Sequence, residues 1–376
     1  MSLPSLKIVV LGLSITSSWG NGHATTYRGL IRELSNRGHQ VMFLERDVPW
    51  YAANRDLSAS NGCVRLYSDL DELKKRYARH VKDADFVMVG SYVPDGAAIG
   101  KWVVGTASGL TGFYDIDTPV TLSRLKNGKA TYLSKDLIPQ YNLYLSFTGG
   151  PILEKLQYHY GAQETRALYC SFDPEKYFPK PCEQTWDLGY MGTYSKDRQP
   201  ALEKMFMGPA RLWRDGRYIA AGPLYPDDIC WPANVKRIDH IYPAEHRDFY
   251  NAQRFTLNIT RIDMIRAGHS PSVRLFEAAG CGAPIISDYW EGIEDFFEIG
   301  REILIARSSR DVLTYIRELP EEERYALGER ARNRVLAEHT ASHRAGELEQ
   351  YIYNRMGIRT NHKKTANVVK LEINNK

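Results

Sequence analysis

Apolar positions along this chain keep two alternating rhythms. Residues 7–13 read KIVVLGL, a short continuous apolar run of strand length, and from residue 24 the spacing changes to Tyr27, Leu30, Ile31 and Leu34, one face of a helix. Gly38 closes that helix, and QVMFLER at 40–46 restores the strand pattern. Strand, helix and strand in that order predict a right-handed crossover onto a parallel sheet. The unit recurs more loosely. DADFVMVGSY predicts a strand ending at Gly90-Ser91, GAAIGKWVVGTA a helix, and LTGFYDIDTPV a strand running into a turn at Pro119. QYNLYLSFTGG, GPILEKLQYHYG and ETRALYCSF predict a further strand, a helix and the close of the first half.

Pro174, Pro179 and Pro181 then mark a semi-rigid linker over 173–184. The alternation resumes with TWDLGYMGTYS, the helix RQPALEKMFMGPARLW, the strand RYIAAG, a helix around PAEHRDFYNAQ and the strand FTLNIT. Further on, Val273, Phe276 and Ala279 keep helical spacing, Gly280 and Gly282 supply a helix end, and Pro284 forbids continuation before the strand at Ile285-Ile286. REILIA reads as one more strand, and EEERYALGERARNRVLAEH and ASHRAGELEQYIYNRM as final amphipathic helices. The expected fold class is α/β: two Rossmann-like doubly wound domains at 1–172 and 185–340, with a last helix and a basic tail over 341–376. Such sheets in tandem turn the carboxyl ends of their strands toward a central cleft, where ligands bind.

Composition narrows the function. A chain of 376 residues exceeds one ordinary core, which agrees with two domains. The net charge of +4 is small and its bases are interspersed with acids, so nucleic acid is not favoured as a partner. The tail NHKKTANVVKLEINNK is basic and reads as frayed or as an added strand. Five cysteines without CxxC or Cys/His spacing predict reduced thiols in a cytoplasmic protein and no metal site. LKIVVLGLSI is too short to span a membrane and nothing later approaches a transmembrane segment. Asn258-Ile259-Thr260 fits a glycosylation acceptor but reads as an ordinary strand end.

Four stretches carry candidate chemistry. In SSWGNGHATTYRG, a glycine-rich loop of Gly20, Asn21 and Gly22 lets backbone approach a ligand at a helix start, and His23 stands where an imidazole can act as a base; Thr25 replaces the third glycine of a dinucleotide fingerprint. In YDIDTPVTL, Asp115 and Asp117 share one face if the strand continues, and a carboxylate there can deprotonate a hydroxyl. In GYMGTYSKDRQP, Gly192, Thr193 and Tyr194 form a tight turn followed by Lys196 and Arg198, which can clamp a diphosphate. In LNITRIDMIRAGHSPSVRLFEAAGCGAP, Ser270 and Ser272 can cap a helix whose amides face the cleft, Glu277 can accept from two ribose hydroxyls, and Arg261, Arg266 and Arg274 add positive charge. Tyr242 and Tyr250 are candidates for stacking on a base.

The segment PSVRLFEAAGCGAPIISDYWEGIEDFFEIGREILIA resembles the donor-binding segment of GT-B glycosyltransferases, in which a helix-borne Glu binds the nucleotide ribose ahead of a glycine-proline turn. Among these, the spore-maturation-protein-B (CgeB-like) group of bacterial enzymes is the nearest in pattern, over Tyr242 to Ala306; GNGH also looks like the acceptor-side loop of several GT-B enzymes. The resemblance implies an acceptor-side first domain, a nucleotide-sugar-binding second domain and a last helix crossing back to the first. It implies transfer from a nucleotide-diphosphate sugar, UDP or dTDP in type, to a hydroxyl or amine on a small-molecule or glycan acceptor, with the donor as co-substrate, no cofactor and no metal. Glu277 would bind ribose, Lys196 and Arg198 would meet the diphosphate, and the 20–23 loop would lie near the transferred sugar. Retaining enzymes with paired glutamates carry another Glu eight residues earlier, and here that residue is His269. Retention or inversion, and the choice of base among His23, Asp115 and Asp117, stay open. A sugar-nucleotide epimerase and a catalytically idle binding module share the same fold.

Overall fold

The computed structural model describes residues 3–57 and 62–358, so the basic tail lies outside the described residues. The first sheet comprises β1 (Lys7–Gly12), β2 (Gln40–Arg46), β3 (Val64–Tyr67), β4 (Phe86–Gly90), β5 (Leu110–Asp115), β6 (Leu143–Ser146) and β7 (Thr165–Ala167). All are parallel, in the order β3-β2-β1-β4-β5-β6-β7. Its helices are α1 (Ala24–Asn36), α2 (Pro49–Ala52), α3 (Leu70–Lys82), α4 (Gly96–Thr106), α5 (Thr118–Lys126) and α6 (Pro151–Tyr160). Every residue of β4 is buried, because helices cover both faces of the sheet, and this is why the central strands read as continuous apolar runs.

The second sheet repeats the plan with β8 (Trp186–Met191), β9 (Tyr218–Ala221), β10 (Val235–Ile238), β11 (Gln253–Asn258), β12 (Ile285–Ser287) and β13 (Leu304–Ile305), in the parallel order β10-β9-β8-β11-β12-β13. Around it lie α7 (Gln199–Leu202), α8 (Gly208–Leu212), α9 (Pro243–Asn251), α10 (Ile262–Ala267), α11 (Val273–Gly280) and α12 (Ser309–Glu318). Strand order reverses between β1 and β4 in one sheet and between β8 and β11 in the other, which places a crevice at each switch point. The two domains together form the GT-B architecture.

Two local expectations need correction. Pro119 does not end a strand in a turn; it sits in the first turn of α5, where its missing N–H costs no helical bond. The segment from Gln199 to Leu212 is not one regular helix. A π turn over Glu203–Met207 joins α7 to α8, with the Gly208 N–H reaching back to the Glu203 carbonyl and Pro209 unable to donate next.

After the second sheet, α13 (Glu321–Glu338) packs on α11, and α14 (Ala341–Arg355) returns to pack on α1. Gly29 admits this contact, since a Cβ there would lie 2.9 Å from the Ala341 Cβ. Glu349 on α14 pairs with Arg37 at 2.8 Å and with His39 at 2.7 Å. One apolar core runs from Tyr27 and Phe147 in the first domain through Phe172 to Phe276 and Phe296 in the second. Side-chain and backbone bonds cross the same seam: Thr148 to Ser270 through their hydroxyls at 2.9 Å, and the Gly149 N–H to the His269 carbonyl at 2.9 Å.

Candidate active site

Loops that follow β1, β4, β5 and β6 face loops that follow β8, β9, β10 and β11 across a cleft of about 550 Å³. On the first-domain wall, the loop after β1 is held rigidly by acids from outside it. The buried Glu45 carboxylate at the end of β2 accepts from the Ser14 hydroxyl and the Ile15 N–H, both at 2.8 Å, and from the Thr16 N–H at 3.1 Å. Asp56 accepts from the Ser18 N–H and hydroxyl and pairs with Arg28. Gly20 takes φ +60°, and Gly20, Asn21, Gly22 and His23 all line the cleft.

His23 occupies the N-cap position of α1 without making a capping bond, and its ring meets Phe147 edge-on at 5.4 Å. Its Nδ1 is buried and has no hydrogen-bond partner among the described residues. Burial lowers its pKa, the nearby Asp117 carboxylate opposes that shift and Arg261 adds to it, so the imidazole is neutral at neutral pH. Asp117 is the N-cap residue of α5 and lines the cleft. Its Oδ2 accepts from the Tyr92 hydroxyl at 2.8 Å and lies 3.5 Å from Arg261 Nη1. Tyr92 itself holds φ +64°, a left-handed conformation that a non-glycine residue adopts at a cost.

Asp115 departs from its expected place. The strand stops at Asp115 instead of continuing, so the two acids do not share a face. Its side chain is fully buried behind the cleft wall, accepting from Tyr144 at 2.6 Å and Thr121 at 2.8 Å, and burial raises its pKa to about 6.

On the opposite wall, Glu277 is only 2% exposed yet lines the cleft. Its Oε1 accepts from the Thr25 hydroxyl of the first domain at 3.2 Å, and its Oε2 accepts from Tyr250 at 3.5 Å. His246 Nδ1 lies 3.6 Å from the same Oε2, while its Nε2 reaches the Ile241 carbonyl at 3.2 Å. Arg274 reaches the Met191 carbonyl and Asn258 Oδ1, and Gly192 is tightly enclosed, since a Cβ there would lie 2.6 Å from the Tyr190 hydroxyl. Thr193, Tyr194, Arg198 and Arg261 line the cleft, and the Nε atoms of Arg198 and Arg261 are buried and unpartnered among the described residues.

Several expected contributors lie elsewhere. Lys196 is exposed and outside the cleft lining, because its loop turns Thr193, Tyr194, Ser195 and Arg198 inward instead. Tyr242 is 46% exposed, packs edge-on against His240 and does not line the cleft. Tyr250 lines it but is fully buried beneath Glu277, so no ring face is open for stacking. Ser270 and Ser272 do line the cleft, but neither side chain caps α11: Ser270 bonds Thr148 across the seam, and Ser272, the N-cap residue, donates to Asn258 Oδ1 at 2.9 Å. Arg266 is outside the lining. His269 is also outside it, with φ +43°, Nδ1 2.8 Å from Asp295, and its ring against Gly150 and Gly292. The position that in paired-glutamate enzymes carries the first acid is here part of the seam between domains.

Sequence reasoning missed Thr25, Tyr92, His240, His246 and Asn258. Asn258 is buried, donates to Thr260 and Ser287, and accepts from Ser272 and Arg274, which explains its place at the strand end without a glycan.

Residues 198–350 match the glycosyl transferase-like family model. The matched segment contains Arg198, Arg261, Arg274 and Glu277, and it also takes in α13 and most of α14. No curated protein matches the chain. Solved structures share its fold over 93% of its length: sucrose-phosphate synthase from Thermosynechococcus elongatus, at 12% identity, 99% coverage of that chain and a TM-score of 0.68; HepE of Anabaena in complex with UDP and glucose, at 11% identity, 100% coverage and 0.68; and an alpha-glucosyltransferase in complex with UDP-glucose and DNA containing an abasic site, at 11% identity, 100% coverage and 0.70. No helix of the described residues is long and apolar enough to cross a membrane.

Proposed function

We propose that the protein is a glycosyltransferase that moves a sugar from a nucleoside diphosphate sugar, UDP or dTDP in type, to a hydroxyl or amine of a small-molecule or glycan acceptor in the cytoplasm. The observation that carries this reading is the buried Glu277 carboxylate, open to the cleft on the same wall as two guanidinium groups whose Nε donors have no partner among the described residues. A carboxylate of this kind matches the two hydroxyls of a uridine ribose or the single 3′-hydroxyl of a thymidine deoxyribose, and two guanidinium groups match a diphosphate. The finer placement beside the CgeB-like group rests on the pattern from Tyr242 to Ala306. HepE and the alpha-glucosyltransferase, whose structures hold UDP or UDP-glucose, support the choice of donor class. The small net charge favours a small-molecule or glycan acceptor over nucleic acid.

The chemistry follows from the two walls. The acceptor oxygen or nitrogen forms a bond to the anomeric carbon as the bond from that carbon to the diphosphate oxygen breaks. The diphosphate leaves with the electron pair, stabilised by Arg198, Arg261 and the amides at the start of α11, so the reading requires no metal. The acceptor stands against the first-domain wall, where His23 and Asp117 are the groups able to take its proton. Glu45 and Asp56 keep that wall fixed, which holds the acceptor in line with the donor.

The test is a thermal-shift screen against UDP, dTDP, GDP and CMP and their sugar conjugates, followed by product analysis with the stabilising donor. Selective stabilisation by one nucleotide family supports the reading. Isomerised donor without acceptor would replace it with an epimerase, and no stabilisation by any nucleotide would leave an idle binding module. The anomeric configuration of the product separates direct displacement, with the proton going to the first-domain wall, from front-face transfer, in which a diphosphate oxygen takes it.

A further inference from the structure

Arg261 has two claims on it. It lies at the start of α10 on the nucleotide wall with one nitrogen, Nη1, 3.5 Å from Asp117 of the acceptor wall, and its Nε is buried without a partner among the described residues. Asp117 in turn has a second, fixed partner: the Tyr92 hydroxyl at 2.8 Å, on the same Oδ2 that Arg261 approaches. Tyr92 is held by its own surroundings, with its ring 4.8 Å from Tyr132 and the Arg124 guanidinium 5.3 Å from its centroid. One partner of Asp117 is therefore anchored within the first domain, and the other spans the cleft.

We propose that Arg261 is shared between Asp117 and the donor diphosphate, so that donor binding withdraws it from Asp117 and makes the acceptor wall competent only once the donor is in place. The inference rests on the reading of the cleft as a nucleoside diphosphate sugar site. A diphosphate carries more charge than one carboxylate and offers a guanidinium two-point contact, so it outcompetes Asp117 at a longer-than-ideal 3.5 Å. The charged groups facing His23 are Asp117, from the turn after β5, and Arg261, from the turn after β11. Neutralising Arg261 with diphosphate leaves Asp117 as the unopposed charge beside the imidazole, which raises its affinity for a proton when the acceptor arrives. Tyr92 keeps Asp117 in place after the arginine departs. An acceptor that enters an empty cleft meets a carboxylate already paired, which disfavours the unproductive order.

A binding cycle with the wild-type protein and the Asp117→Asn, Arg261→Gln and doubly substituted variants tests this. The probe is whichever of UDP, dTDP and GDP binds the wild type most tightly, measured by titration calorimetry. Arg261→Gln should weaken binding about tenfold or more, as loss of a charge-assisted contact does. Asp117→Asn should tighten it about three- to fivefold, the scale of a partly exposed ion pair released. In the Arg261→Gln background the Asp117→Asn effect should vanish, because there is no shared cation left. Unchanged or weaker binding by Asp117→Asn, with Arg261→Gln still impaired, would overturn the sharing and leave the donor site standing. A tightening that persists in the double variant would assign the effect to general repulsion between Asp117 and the phosphates and also overturn it. If no nucleotide binds the wild type, the functional reading itself fails, and this inference with it.

Discussion

Substituting Glu277 probes the proposed nucleotide wall most directly. The carboxylate is 2% exposed, Tyr177 is a further hydrogen-bonding neighbour, and its contacts to Thr25 at 3.2 Å, Tyr250 at 3.5 Å and His246 at 3.6 Å are long. Two ribose hydroxyls would give it shorter, charge-assisted bonds, each contributing about 1.5–3 kcal/mol before the existing contacts are given up. The net for the pair is about 3 kcal/mol, so Glu277→Ala should weaken UDP binding roughly 150-fold. Glu277→Gln, which keeps one oxygen acceptor, should lose about tenfold. Calorimetry with UDP and 2′-deoxy-UDP on the same variants separates the ribose contact from any general loosening of α11. For a donor of the UDP type the wild type should prefer UDP, and Glu277→Ala should bind both alike. UDP binding by a folded Glu277→Ala protein within about twofold of wild type, or an undiminished preference for the 2′-hydroxyl, would refute the ribose assignment.

Three other outcomes are expected. Burial lowers the pKa of His23, so if its imidazole takes the acceptor proton, kcat/KM should rise with pH through a midpoint below the ordinary value of 6.5 and stay flat to neutrality. The His23→Asn variant should lack that limb, and its persistence would exclude this role. Transfer should continue undiminished after dialysis against EDTA if, as proposed, Arg198 and Arg261 supply the countercharge; a rate restored only by added divalent cation would contradict this. Gly150→Ala should destabilise the protein by about 2–4 kcal/mol in urea titrations, since Gly150 takes φ +60° with ψ −147° and a Cβ there would lie 2.3 Å from the His269 ring.

The doubly wound plan was legible because the strands are covered on both faces and appear as uninterrupted apolar runs. Edge strands gave weaker signals: VRLY in β3 and VKRI in β10 are four residues each and carry charges on partly open faces. Glu277 could be found from its own neighbourhood, a helix stopped by glycines and Pro284. Choosing among adjacent like residues could not be done that way. Lys196 and Arg198 share one loop, and Asp115 and Asp117 one turn; only the path of the backbone decides which member of each pair reaches the cleft. Thr25 was invisible as a partner of Glu277 because 252 residues separate them and nothing but the meeting of two domains brings them together.

The return of α14 to α1 puts both extremities of the described chain on the same body. The Tyr353 hydroxyl bonds the Pro4 carbonyl at 2.7 Å, and the two passages between domains run side by side, with the Ala341 N–H bonded to the Phe172 carbonyl at 3.0 Å. The second domain is thus topologically a guest inserted into its host. A pair of fluorophores attached next to Pro4 and Tyr353 would ride together and stay silent through any opening of the cleft; a reporter of that motion must have one dye within residues 186–305.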